Sequence, residues 1–558
     1  MASAAVAHIS SWRAQRAVDR EASAPPRRRL LRDLRLVPLA AAVWAGAAWA
    51  PVAAALGISR PLIAWWACLA GIGIWMGAVA CTVVRPWPRQ AVRRGLVATA
   101  LVAFAVAAAW GAGFAAGSGR LANDTAGPVG ELFAKGGATT AHVEILSEPR
   151  PHRSAAGRSS EPRYLADARL LEATHGGVRF AASSRVVVSG GSALARLRMG
   201  DVAEAPARVR AGSVDGTGFI TLVGAPRVIT TSEAAVLPAT AREALREASA
   251  WLPADAAGLI PALAVGDRSA LAEKLEDDLL AAGLGHLTAV SGANFAIVLG
   301  SVVLVFRLAR CPRWGVVAGC ALTLGGFVAI VGFEPSVLRA AAMGSIALLA
   351  LATGRAGASC SALCAGVIAL VLADPLLAVS LGFLLSVLAT LGIALLARPL
   401  AAALGTVLPA WLSLAVAVPL SAQLLCGPVL VLVRPEFQSW SLVANVLAAP
   451  LVPVITVAAT IALVTAHAAP PVAWLATAVG GPAAELLSMI AHSFASTPAA
   501  RVPWPEGALG ATAMAVVSVL NLAALESLAD PRVRQGAARL AGRMRGLVAG
   551  RARGKVDG

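Results

Sequence analysis

Polar side chains and broken backbone coincide at one place in this chain, Ala282 to Asn294, which reads AGLGHLTAVSGAN. His286, Thr288, Ser291 and Asn294 stand there among Gly283, Gly285 and Gly292, at the start of a long apolar run. At membrane depth such groups are tolerated only where they line a protein-buried cavity or a wet path. A serine and a histidine also raise nucleophilic hydrolysis, with Ser291 attacking and His286 as base. Five residues at ~100° each put the two on different sides of a regular helix, and no oxyanion hole is visible, so no catalytic residue is assigned. A polar path is the stronger expectation. Arg339 lies inside a further apolar run, where an arginine is a functional candidate by default, with Glu334 as the alternative ion-pair partner. Ser291, Asn294 and Asn445 can line such a path or hydrogen-bond helices to one another, and both readings stand.

The elements that must position these residues are mostly apolar helices. Of 558 residues 58% are hydrophobic and 14% charged, which excludes an ordinary soluble protein of this length. A crossing needs ~20 apolar residues, and three runs near Leu36–Leu56, Leu62–Val84 and Leu96–Ala116 come first. Nine more are expected near His286–Phe306, Trp314–Phe333, Ser336–Thr353, Ser359–Ala373, Leu376–Ala397, Leu408–Val433, Trp440–Ala466, Val472–Phe494 and Ala508–Leu528. Ser359–Ala373 is short, and Val472–Phe494, which holds Glu485 and His492, is open to a re-entrant reading. The net charge of +17 sits largely in the tails, with eight arginines before Leu36 and seven arginines and a lysine from Arg532 to Lys555. That distribution reads as positive-inside signal and attraction to anionic lipid rather than a nucleic-acid site. Together with Arg85, Arg89, Arg93 and Arg94 in the second connection, it predicts both termini in the cytoplasm and the cytoplasmic membrane as the location.

Between Arg120 and Glu233 the pattern changes to short alternating stretches separated by Gly, Pro and Ser: His142–Leu146, Tyr164–Glu172, Val178–Val188, Val202–Val209 and Gly218–Val228. Five short strands predict a small extracytoplasmic β-domain, an OB-like barrel or another five-stranded barrel. Phe133, Tyr164, Phe180 and Phe219 are either its core or a stacking platform for single strands. From Thr240 to Ala282 the chain reads as helix that lies on a membrane surface or plugs a vestibule, with Gly266-Asp267-Arg268 as a turn and Ser269 as the N-cap of a helix carrying Leu271, Leu275 and Leu279. The seven cysteines fall in or beside apolar runs, which argues against a disulfide framework. No ligand cluster or phosphate-binding loop is visible, so no cofactor or metal is expected.

Taken in order, Gly266-Asp267-Arg268, Gly283-Leu284-Gly285-His286-Leu287, Ser291-Gly292-Ala293-Asn294 and Arg339-Ala340-Ala341-Ala342-Met343 resemble the competence domain of the ComEC/Rec2 family. Asp374-Pro375, Gly382-Phe383-Leu384-Leu385-Ser386, Ser421-Ala422-Gln423, and Asn445 with Pro450 continue the resemblance, which covers roughly Leu237 to Leu528. It implies an inner-membrane channel for single-stranded DNA uptake during natural transformation, with Asp267, Arg268, His286, Ser291, Asn294, Arg339, Ser386, Gln423 and Asn445 as path candidates. The implied partners are single-stranded DNA, the lipid bilayer, separate receptor, nuclease and cytoplasmic motor proteins, and a homo-oligomer as an open option. Fuller members carry a metallo-β-lactamase-like domain. Here the seven histidines include no His-x-His pair, so the expectation is that the chain is not an enzyme and leaves strand degradation to another protein. A carrier for a lipid-linked or small anionic substrate remains the alternative, since broken helices and buried arginine serve it equally.

The expected architecture is thus a polytopic α-helical membrane protein with a small extracytoplasmic OB-like barrel. Its segments are a basic arm (1–35), three helices (36–119), the β-domain (120–236), amphipathic helices (237–285), the channel domain (286–528) and a basic tail (529–558).

Overall fold

In the computed structural model, residues 36–55, 111–116, 132–133, 136–152, 163–175, 178–210, 218–288, 292–331, 337, 340–345, 348 and 359–529 are described. The basic arm and tail, the run Leu62–Val84, Ser291, Glu334 and Arg339 lie outside them.

The β-domain consists of β1 (Gly137–Ile145), β2 (Arg150–His152), β3 (Arg163–His175), β4 (Val178–Gly190), β5 (Asp201–Arg210), β6 (Gly218–Leu222) and β7 (Arg227–Thr231). Strand order β1-β3-β4-β6-β5 closes because β5 pairs back onto β1. Each pairing is antiparallel except β4 with β6, which is parallel. Five strands closing in that order are the OB arrangement. Alternation explains the closure: Ala141, Val143, Ile145, Ala166, Ala168, Leu170, Val186, Val188, Ala203, Ala205, Val209 and Ile220 all point into one apolar core. Small alanines on β3 and β5 leave room for the larger residues opposite. The stretch Gly218–Val228 is not one strand but two, interrupted around Gly224 and Pro226, and β7 pairs only with β5 among the described strands.

After α1 (Val37–Ala55), the described helices continue with α2 (Glu233–Ser249), α3 (Ala254–Val265) and α4 (Glu273–Ala281), and, past the glycine-rich segment with its 3-10 turn at Gly285–Thr288, α5 (Gly292–Leu308). Within the stretch read as surface or vestibule-plugging helix, nine of the twelve residues of α3 are buried, between Ala256 and Val265, because apolar side chains surround it. Ser269 does not cap α4, which starts four residues later; its hydroxyl is occupied by Asp267.

The remaining helices are α6 (Arg313–Val331), α7 (Ser359–Ala373), α8 (Leu381–Leu404), α9 (Ala410–Val433), α10 (Ser441–Ala448), α11 (Leu451–Thr465), α12 (Pro470–Ala495) and α13 (Gly507–Ala529). Among the described residues five helices are long and apolar enough to cross a membrane, or six if α10 and α11, bent by 51° across a short break, form one span. This is a multi-pass membrane protein. Val472–Phe494, open to a re-entrant reading on sequence, is a continuous helix of 26 residues.

Two compact units emerge. The first comprises the barrel and residues up to 276, 285–384 and 451–488; the second comprises 277–284, 385–450 and 489–558. In the first, α1 packs against α7, Trp44 stacks on Phe383 at 4.8 Å between ring centroids, and its indole N–H donates to Ala378 O at 2.7 Å. In the second, α9 packs on α13, and a two-stranded ribbon pairs β8 (Glu436–Phe437) with β9 (Val502–Pro503).

Candidate functional site

The first polar cluster lies in the first unit, where the barrel meets α2 and the end of α3. Gly266 terminates α3 in the left-handed conformation (φ 73°) that glycine adopts at no steric cost, turning the next residues away from the helix axis. Asp267 then folds back. Its carboxylate accepts from the Ser269 N–H (3.0 Å) and hydroxyl (2.6 Å) and from Arg246 Nη1 (3.1 Å), and its side chain is fully buried. Arg246 also donates to Ser269 Oγ at 2.9 Å. Next in sequence, Arg268 bonds Glu276 at 3.1 Å and donates from Nε to Thr288 O, also at 3.1 Å. Arg268 therefore ties α4 to the 3-10 turn of the glycine-rich segment.

Two residues that sequence reading did not select complete the cluster. Arg242 is 1% exposed and donates to Val331 O (2.7 Å) and Val265 O (3.3 Å), the last residues of α6 and α3, and it contacts Met199 of the barrel. Glu148, in the β1–β2 connection, accepts from the Met199 backbone; burial and then the charge of Asp267 push its carboxyl above the usual range, while Arg246 and Arg242 pull it down. Helix spacing was the available signal: Arg242 and Arg246 are four apart, on one face of α2. Nothing in sequence brings Glu148 to that face.

The other candidates separate. Asn294 is buried and donates to Leu263 O at 2.8 Å, tying α5 to α3. His286 is exposed on the 3-10 turn. In the second unit, Asn445 of α10 donates to Gly283 O (3.3 Å) and Ser441 O (2.8 Å). Gly283 (φ 72°) leaves no room for a side chain, since a Cβ would stand 2.2 Å from Ser441 Oγ. Ser386 and Gln423 are half-buried on α8 and α9. In this unit His492 Nδ1 also meets Asp278 Oδ2 at 2.6 Å, and Arg501 donates to Asp277 O at 2.8 Å. Thus the structure brings Asp267 and Arg268 together through Arg246 and α4, and Gly283 together with Asn445. No group of three or more His, Cys, Asp or Glu suited to a metal occurs among the described residues.

The stretch 263–528, from the end of α3 to the end of α13, matches the model of the family described as Competence protein. Residues 263–528 belong to the competence-protein family. This is the ComEC/Rec2 group to which the motifs pointed. Within the chain, 139 residues are 33% identical to ComE operon protein 3 of Bacillus subtilis (strain 168), covering 24% of this chain and 17% of that relative. No solved structure matches. The competence domain therefore begins inside the buried helix α3, and it includes every path candidate from Asp267 onward, while the barrel, Arg242 and Arg246 precede it.

Proposed function

We propose that the protein is a channel of the cytoplasmic membrane through which single-stranded DNA enters during natural transformation. The observation that carries this reading is the competence domain over 263–528, coupled through one charged cluster to an OB-type barrel. A chain of phosphates moves only where binding is weak and repeated, since one deep cationic site would trap it. The described polar groups suit that demand: Ser386, Gln423 and Asn445 are neutral and half-buried, whereas Arg242, Arg246 and Arg268 are held by carbonyls or carboxylates. Arg339 is the cation we assign to the path, with Ser291 and His286 as further lining candidates from the glycine-rich segment. The protein forms no covalent intermediate in this reading.

Reconstitution tests it. Protein in sealed vesicles, given fluorescent single-stranded DNA outside and then an added nuclease, should protect a fraction of the label, and the Arg339→Ala protein should protect several-fold less. The same preparation should leave double-stranded DNA uncut with divalent metal present. Protection no greater than in protein-free vesicles would remove the channel reading.

A further inference from the structure

We propose that the outer face of the β5–β6 ribbon binds single-stranded nucleic acid, with Phe219 as the stacking platform and Arg208 and Arg210 as the phosphate contacts; this rests on the DNA-uptake reading above. The register sets the arrangement. Arg210 stands directly opposite Phe219 and Arg208 directly opposite Thr221, with Val187 of β4 beside Phe219 on its other side. Alternation sends all of them outward, since their neighbours Ala207, Val209, Ile220 and Leu222 fill the barrel core. Directly opposed side chains have Cβ atoms ~5 Å apart, so a base lying on the Phe219 ring has a guanidinium beside it. The two arginines, two residues apart on one strand, stand ~7 Å from each other, a spacing that follows an extended phosphate backbone.

Phe219 differs from the other aromatics of this domain. Phe133, Tyr164 and Phe180 pack against the core, whereas Phe219 is 40% exposed on a strand whose inner face is already filled. The arginines differ too. On the β3–β4 face, where OB barrels commonly bind strands, Arg169 is paired with Glu144 at 3.3 Å and Arg179 with Glu172 at 3.4 Å, and Asp167 stands opposite Val187. Arg208 and Arg210 are exposed and have no carboxylate partner among the described residues. The nearest outward acid on β5, Glu204, is engaged by His142 at 3.5 Å and stands opposite Arg227. Arg185 of β4, opposite Arg169, also has no carboxylate partner among the described residues, so what sets β5–β6 apart is that its unpaired arginines stand beside an open aromatic ring, whereas Tyr164 and Phe180 of β3–β4 pack against the core. Arginines and ring together fit a polyanion with flat bases better than a plain anionic surface, which has no use for the ring.

The test uses the full-length protein in phosphatidylcholine nanodiscs and a fluorescent thymidine 15-mer. Phe219→Ala should weaken binding about tenfold, with the salt dependence unchanged, and Phe219→Trp should restore it, as stacking is worth that much per base. Arg208→Ala/Arg210→Ala should weaken binding and flatten the plot of log affinity against log salt by ~1.4, the share of two phosphate contacts on a single strand. Arg169→Ala should change affinity less than about twofold, because its guanidinium is already engaged. Circular dichroism and thermal melting establish that each variant folds. Wild-type affinity in all the β5–β6 variants, or a loss that follows Arg169→Ala instead, overturns the proposal. So does a loss seen only for phosphatidylglycerol vesicles and not for the oligonucleotide, which would make the face a lipid contact. Vesicle transport by wild-type protein, read in parallel, separates failure of this face from failure of the channel reading.

Discussion

Arg242 holds three parts of the first unit with one side chain. Its donors meet the carbonyls that end α3 and α6, where the helix dipole is negative and no intrahelical N–H is available, and its guanidinium lies against Met199 of the barrel. A cation buried so completely needs compensating charge, and Glu148 and Asp267 face the same cluster. Glu148 is the least favourably placed of these groups, because burial and Asp267 both oppose its ionisation. The folded protein therefore retains the Glu148 proton at pH values where the unfolded chain has lost it. Stability contributed by this group is fully present below the ordinary carboxylate value and falls as pH rises through the window up to the raised folded value. The Glu148→Gln variant should lack that decline. Thermal midpoints of both proteins from about pH 4 to 8, a range that brackets the ordinary carboxylate value, should converge at the acid end and diverge in favour of Glu148→Gln as pH rises. Parallel curves would show that the carboxyl is not linked to folding.

At the scale of elements, glycines decide how closely helices approach. Gly392 of α8 lies over α9 so tightly that a Cβ would stand 2.5 Å from Ser421 O, a backbone atom that cannot swing aside. Ser421 is itself fully buried. Small residues at such a crossing are the usual basis of helix association in lipid, where no hydrophobic force draws helices together. Gly392→Val should therefore destabilise the second unit by about 1–3 kcal/mol through overpacking, read as a lower thermal midpoint in detergent, with Gly392→Ala intermediate. An unchanged midpoint in Gly392→Val would mean that α8 and α9 are not in this contact in the membrane. The α10–α11 break has a different cause. Pro450 lacks the N–H a continuous helix would use, while Ala449 before it keeps helical dihedrals (φ −52°, ψ −42°), and the preceding short helix is held at its polar side by Asn445 reaching Gly283 O.

For the whole molecule, pairing across the second unit fixes which loops share a side of the membrane. The ribbon of β8 with β9 brings the residues after α9 level with those after α12, so an even number of crossings separates them. The α10–α11 pair and α12 supply two. Arg501, next to β9, donates to Asp277 O, which brings the start of the glycine-rich segment to that side as well. Six apolar segments separate Asp277 from β8 on the sequence reading, again even. The arginine distribution along the sequence predicts the exterior for that side and, independently, for the barrel. An impermeant thiol reagent should label Ser192→Cys, on the exposed β4–β5 connection, in intact cells, and Thr406→Cys, in the α8–α9 loop, only after permeabilisation. Labelling of Thr406→Cys but not Ser192→Cys in intact cells would reverse the orientation.

Sequence by itself determined the class of the molecule, a small five-stranded β-domain and the competence-type character of 263–528, while the strand order that makes the barrel OB-like came from the structure. The first three follow from local quantities: apolar run length, alternation with period two, and motifs in a fixed order. The resemblance also marked Asp267, Arg268 and Asn445, whereas His286 and Asn294 stood out by themselves as polar residues beside broken backbone in apolar surroundings, where such groups are costly. Tertiary structure alone decided what those residues touch. Asp267 is bound by Arg246 from another helix, Asn294 by a carbonyl of α3, and Arg242 joins residues far apart in the chain. Ser269 reads locally as an N-cap, yet Asp267 and Arg246 together claim its hydroxyl. Likewise, four aromatics of the barrel look alike in sequence, and only closure of the sheet turns three toward the core and leaves Phe219 outside. The physical reason is common to these cases: spacing along a chain fixes which face a side chain occupies, whereas its partner depends on which distant element packing brings to that face.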